Sequence, residues 1–153
     1  MKQILGEYSC KIDSKGRMRL PTALISQLEE ESPLKFVINR GFENCLVMYP
    51  EKVWEKITQE INHLNPYDLQ SRKMKRYFYR GAQRLTLDNA DRINLSSLLL
   101  DWAGIENQAI LSAVDDRIEI WAKEKWEAML DEEPEDFAEL AQIVLGNKKN
   151  GDE

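Results

Sequence analysis

The sequence predicts an α+β fold, mainly β with packed helices, made from one strand–turn–strand–helix unit that occurs twice. Three observations carry this expectation. Residues 6–25 can be laid over residues 81–100 so that Gly6 meets Gly81, Asp13 meets Asp88, Arg17 meets Arg92, Leu20 meets Leu95 and Leu24 meets Leu99. Apolar positions agree in the same alignment: Cys10 with Leu85, Ile12 with Leu87 and Met18 with Ile93. After a gap the match resumes, with Leu46–Tyr49 over Ile118–Trp121 and Val53-Trp54-Glu55 over Lys125-Trp126-Glu127.

Each element has a local reason. Tyr8, Cys10 and Ile12 alternate with Ser9 and Lys11, the two-residue period of a half-buried strand. Asp13-Ser14-Lys15-Gly16 supplies a turn, because Asp favours its start and Gly accepts the positive φ that closes it. Arg17 and Arg19 follow on a return strand, with Met18 and Leu20 on its other face. Pro21 is placed to open a short helix at its first position, and Leu24, Ile25 and Leu28 give that helix an apolar stripe. Two further strands and a helix containing Trp54 complete the first unit.

Between the copies, Val53, Trp54, Ile57, Ile61 and Leu64 recur at helical steps until Asn65-Pro66 interrupts them. A second helical stretch from Leu69 to Phe78 carries Arg72, Lys73, Lys75 and Arg76. The strand–turn–strand unit then repeats from Gly81. Phe137, Leu140, Ala141, Val144 and Leu145 predict a last helix after Pro134, and the polar run from Asn147 to Glu153 reads as a frayed tail. The expected organisation is a first unit at 5–57, a connecting helical segment at 58–80, a second unit at 81–130, and a C-terminal helix and tail at 131–153.

The length of 153 residues suits one core, or two small halves sharing one, and 42% hydrophobic residues suffice to fill it. No apolar run approaches the roughly 20 residues of a membrane span. The first residues lack the apolar core and small-residue cleavage site of a secretory signal. Cys10 and Cys45 lie within apolar stretches and read as reduced, buried thiols of a cytoplasmic protein. No Cys/His spacing of a zinc site and no phosphate-cradling glycine loop occurs, and His63 is the single histidine. The expectation is a protein that is not an enzyme, without catalytic residues, cofactor, metal, small-molecule substrate or membrane partner.

A net charge of −6 argues at first against a polyanion partner, but the charge is unevenly spread. Lys11, Lys15, Arg17 and Arg19 gather around the first turn, and Arg72, Lys73, Lys75, Arg76, Arg80 and Arg84 lie between the copies. Acids concentrate beyond Glu124.

At the first turn, Asp-Ser-Lys-Gly-Arg followed by Met-Arg-Leu-Pro resembles the MraZ family within the AbrB-like, swapped-hairpin DNA-binding superfamily. The resemblance spans nearly the whole chain. It includes Leu5-Gly6-Glu7-Tyr8, the run from Arg40 through Gly41-Phe42-Glu43-Asn44-Cys45 to Leu46, and Tyr77-Phe78-Tyr79-Arg80-Gly81-Ala82. It continues through Asp88 and Arg92 to Asp116-Arg117-Ile118-Glu119-Ile120-Trp121. One Asp-x-x-x-Arg would mean nothing; two in register with these blocks are specific. The resemblance implies a tandem pair of AbrB-like units with intertwined hairpins in a small β-barrel of double-split β-α-β type, helices packed around it. It also implies a transcriptional regulator that is nucleoid-associated, assembles as a ring homo-oligomer, and binds double-stranded DNA at promoter repeats ahead of the cell-division and cell-wall gene cluster.

On that basis Lys15, Arg17, Arg19 and Arg92 are the expected DNA contacts, Lys as a point charge and Arg as a bidentate donor to phosphate or guanine. Asp13, Gly16 and Asp88 are expected to support the turns. The second copy departs from the family pattern: Asp91 stands for the turn glycine and Ser96 for the proline. Asp91 brings negative charge where a phosphate would approach, so the first copy is expected to dominate DNA contact. The basic stretch 72–84 is read as a surface for a neighbouring subunit's acids, Asp131 to Glu133 among them, with a phosphate-facing role as its alternative. Tyr77, Phe78 and Tyr79 are read as packing rather than base-stacking residues. The rival functions are an oligomeric scaffold with incidental DNA binding and an antitoxin of the same superfamily.

Overall fold

The computed structural model describes residues 3–28, 32–131 and 137–151. Its strands are β1 (Gly6–Lys11), β2 (Arg17–Arg19), β3 (Lys35–Arg40), β4 (Leu46–Pro50), β5 (Gln83–Thr86), β6 (Arg92–Asn94), β7 (Gln108–Val114) and β8 (Arg117–Ala122). Its helices are α1 (Thr22–Ile25), α2 (Glu51–Asn62), α3 (Leu69–Tyr79), α4 (Ser97–Ala103), α5 (Lys123–Asp131) and α6 (Phe137–Gly151).

Each copy gives its first strand to the other. β1 pairs antiparallel with β7, and its counterpart β5 pairs antiparallel with β3. With β4 against β8 in the middle, the six-stranded sheet runs β1-β7-β8-β4-β3-β5, an order that reads the same from either end once equivalent strands are matched. β2 and β6 form a separate two-stranded ribbon, which the two turns attach to the edge strands β1 and β5. This is the α+β fold with two equivalent units that the duplication predicts.

The exchange follows from burial. Met18, Leu20, Leu24, Phe36, Ile38, Leu46 and Met48 come from the first copy, and Ile93, Leu95, Leu99, Leu111 and Ile118 from the second. All twelve are almost completely enclosed in one cluster, so neither copy has a core of its own. Met18 and Ile93 face each other across the ribbon and point inward, which fixes the register, because a one-residue slip would leave one of the two facing outward.

α2 starts at Glu51 rather than near Val53, because Pro50 ends β4 and holds the cap position. It buries Val53, Trp54 and Ile61 against β3 and β4. Trp54 meets Tyr49, Phe78 and Tyr79 at centroid distances of 5.4, 5.6 and 5.8 Å. Phe78 and Tyr79 are thus packing residues, while Tyr77 stays exposed. The buried Asn39 side chain donates to the Phe78 carbonyl at 2.6 Å and ties the end of α3 to β3.

Pro21 likewise sits one residue before its helix, as the cap of α1, which is a single turn. Ser96 stands where the first copy has Pro21 and still starts a helix: its side chain accepts from the Leu99 amide at 3.3 Å and caps α4. Cys10 and Cys45 are both buried, and burial pushes the Cys10 thiol up to about 11.

The expected frayed tail is corrected for most of its length. α6 runs through Gly151, so Asn147 to Gly151 are helical, while Asp152 and Glu153 lie outside the described residues. Once a helix is nucleated, each added residue gains a backbone bond, and polarity alone does not stop it. The residues from Glu124 onward form a second compact unit, in which α6 exposes Phe137, Leu140, Ile143, Val144 and Leu145. Within the acids proposed to meet a neighbouring subunit, Glu132 and Glu133 lie outside the described residues. Among the described residues no helix is long and apolar enough to cross a membrane.

Candidate nucleic-acid interface

The two turns are built by the same set of bonds. In the first, Asp13 Oδ1 accepts from the amides of Lys15 and Arg17, both at 2.9 Å, and Oδ2 accepts from Arg17 Nε at 2.8 Å. In the second, Asp88 Oδ1 accepts from Ala90 and Arg92, both at 2.8 Å, and Oδ2 from Arg92 Nε at 3.1 Å. The spacing of four residues is what lets one carboxylate hold both the turn backbone and the first side chain of the return strand. The Arg17 amide does most to hold the Asp13 carboxyl below its ordinary range, with the Arg17 side chain and the Lys15 amide adding to it. Asp88 is held down in the same way, first by the Arg92 amide.

Asp91 takes the glycine's place without breaking the turn. Gly16 has φ +82° and Asp91 has φ +60°, and each amide donates to the turn aspartate's carbonyl at 3.0 Å. Asp is among the few residues that enter this region at modest cost. Gly16 itself has no room for a side chain, since a Cβ there would run into the Leu95 carbonyl oxygen. The turns also lock the ribbon reciprocally: Leu95 N donates to Gly16 O and Leu20 N to Asp91 O, both at 2.8 Å.

With Met18 and Ile93 inward, the outward face of the ribbon carries Arg17 opposite Asn94 and Arg19 opposite Arg92. Arg19 and Asn94 are exposed, and Arg17 and Arg92 are about one-third exposed. Arg19 Nε donates to the Ala90 carbonyl at 3.1 Å. All three arginines therefore spend Nε on the chain, and among the described residues nothing accepts from their terminal nitrogens. Lys15 stands exposed on the first turn. Like charges directly opposite one another destabilise a strand pair, yet Arg19 faces Arg92 here. Such a face concentrates positive charge on one side of the ribbon.

The predicted residues Asp13, Lys15, Gly16, Arg17, Arg19, Asp88 and Arg92 thus come together on one short ribbon with a turn at each end. Asn94 joins them, although no motif in the sequence marks it. Its neighbours Ile93 and Leu95 mark it as outward, but its place opposite Arg17 depends on cross-strand register.

The basic helix α3 lies elsewhere on the chain. Arg72, Lys73, Lys75 and Arg76 are exposed and make no ion pair among the described residues, whereas Arg84 pairs with Glu51 at 3.1 Å. His63 is exposed at the end of α2.

Comparison with known proteins agrees with this architecture. A family model described as "MraZ protein, putative antitoxin-like" matches twice, at residues 4–77 and 78–147. Proteins named transcriptional regulator MraZ from Christiangramia forsetii and Flavobacterium psychrophilum are each 37% identical over 148 residues. That is 96% of this chain and 96% and 94% of theirs. One of the same name from Lactobacillus helveticus is 37% identical over 138 residues, 90% of this chain and 94% of its own.

Proposed function

The chain belongs to the MraZ family, and from that premise we propose that it is a DNA-binding transcriptional regulator whose β2–β6 ribbon enters the major groove. The observation that carries the reading is the outward face of that ribbon, where Arg19 opposes Arg92 and Arg17 lies alongside. B-form DNA admits a two-stranded β-ribbon in its major groove. With Nε tied to Asp13, Ala90 or Asp88, each arginine presents its two terminal nitrogens, a planar fork suited to guanine O6 and N7 or to a phosphate. Lys15 adds a point charge at one end. Asp13 and Asp88 orient rather than repel, because their charge is already spent on arginine and backbone amides.

One ribbon of this size has few cations and binds weakly by itself, so affinity comes from several copies on tandem sites. The assembly is a ring homo-oligomer and its targets are repeats in the promoter of the cell-division and cell-wall cluster. Exposed Phe42, Tyr67 and Tyr77 and the cations of α3 are available for contacts between copies, with no DNA role assigned to α3. The second reading is the oligomeric scaffold, supported by that same exposed apolar surface.

Fluorescence anisotropy tests this. Duplexes carrying one or several copies of the short repeat ahead of the protein's own gene are titrated with the protein and with Arg17→Ala. Salt-sensitive binding that grows with repeat number and weakens in the variant, at unchanged oligomer mass, supports the regulator. Equal binding by the variant moves the contact off the first turn, and no binding by either protein makes the scaffold reading the better one.

A further inference from the structure

The outward faces of the two ribbon strands differ at one pair of equivalent positions. Arg17 corresponds to Arg92 and Met18 to Ile93, but Arg19 corresponds to Asn94. We infer that Asn94 is a specificity-determining residue that reads an adenine in the major groove, beside a base pair read by Arg17. This rests on the DNA-binding reading above.

Four observations support it. Asn94 lies opposite Arg17 in the ribbon register and shares its outward face, so a base edge within reach of one side chain has its neighbour within reach of the other. Its side chain is exposed, and among the described residues it makes no hydrogen bond within the chain, leaving both the amide donor and the carbonyl acceptor for a ligand. Asn is poorly suited to a strand, so sheet propensity does not account for it. Its carboxamide oxygen lies beside Gly16, where an added Cβ would come within 3.3 Å of it. Gly16 thus leaves open space beside the amide.

The chemistry selects the base. A carboxamide donates from its nitrogen and accepts at its oxygen, the complement of adenine N7 and N6. A guanidinium only donates, and matches guanine O6 and N7. A neutral residue among the cations contributes nothing to counterion release, so its contribution is to choice of sequence and not to general affinity. It also breaks the near-equivalence of the two ribbon halves, so the ribbon does not present the same pattern from both ends.

The test is selection from a randomised duplex library with the full-length protein, followed by anisotropy on the selected site and on single-base variants across a salt series. Asn94→Ala is expected to lose the preference for A·T at one position. Its affinity for the selected site should fall about 5- to 150-fold, the range of one bidentate base contact. Binding to unrelated duplex and the slope of log affinity against log salt should stay as in the unsubstituted protein. Asn94→Gln keeps the amide and should retain part of the adenine preference, whereas Arg19→Ala should flatten the salt slope. The same base preferences in Asn94→Ala as in the unsubstituted protein would overturn the inference. So would a loss of affinity uniform over all sequences. If the unsubstituted protein shows no salt-sensitive binding, the DNA reading fails and this inference falls with it, an outcome visible before any variant is made.

Discussion

Gly16 and Asp91 occupy the same turn position in the two copies, and exchanging their chemistry tests the account of the ribbon most directly. Alanine at Gly16 meets two costs. A residue with a Cβ at φ +82° costs roughly 1–2 kcal/mol, and the Cβ falls on the Leu95 carbonyl oxygen. Relieving that contact stretches the bond from Leu95 N to Gly16 O, now 2.8 Å, and a backbone bond contributes about 0.5–1.5 kcal/mol. Gly16→Ala should therefore lose about 2–3 kcal/mol in urea unfolding, at least 4 °C in Tm by the scaling for chains of this size. Glycine at Asp91 behaves differently, because the relief of positive φ is offset by glycine's larger loss of freedom on folding, about 0.5–1 kcal/mol. Stability should change little. Binding should change more: one negative charge beside Arg92 is removed, and by counterion-release scaling this tightens DNA binding by up to about eightfold at 0.1 M salt while vanishing near 1 M. Anisotropy across a salt series reads this. A Gly16→Ala protein as stable as its parent would refute the close approach of the two strands. An Asp91→Gly protein with an unchanged salt slope would refute the placement of the second turn against DNA.

Other consequences follow from single contacts. Asp13→Asn should weaken DNA binding although it removes a negative charge, because Arg17 loses its anchor; tighter binding, measured by the same titration, would make Asp13 a mere source of repulsion. The folded Asp13 and Asp88 carboxyls titrate below their unfolded value, so their contribution to stability is complete above the ordinary carboxylate pKa and is lost as pH falls through the lowered ones. Urea unfolding of the parent and Asp13→Asn should accordingly differ at pH 7 and converge in acid below about pH 4. Ser96→Ala removes the cap of α4 and should cost about 1 kcal/mol, seen as a Tm lowered by roughly 2–4 °C. Met18→Ala empties a fully enclosed site and should cost about 2–5 kcal/mol in denaturant unfolding, a larger loss than any substitution on the outward face of the ribbon.

The sequence by itself determined what lies within a few residues along the chain. The Asp-x-x-x-Arg spacing sets both turns, since the carboxylate reaches its own loop amides and the arginine four residues on. Alternation separates Met18 from Arg17 and Arg19, and the duplication announces two such units. The tertiary structure decided who stands opposite whom. β2 meets β6 and β1 meets β7 because neither copy can enclose its apolar residues alone, and that exchange sets Arg19 against Arg92 and Arg17 against Asn94. It also decided where rules of composition gave way. Asp91 holds positive φ because Asp88 and Leu20 bond the backbone around it, Ser96 takes over a proline's place by capping, and a polar run continues a helix already begun. Local bonds are encoded by spacing along the chain. Cross-strand neighbours follow from burial shared between segments some 75 residues apart, as the alignment of Met18 with Ile93 illustrates.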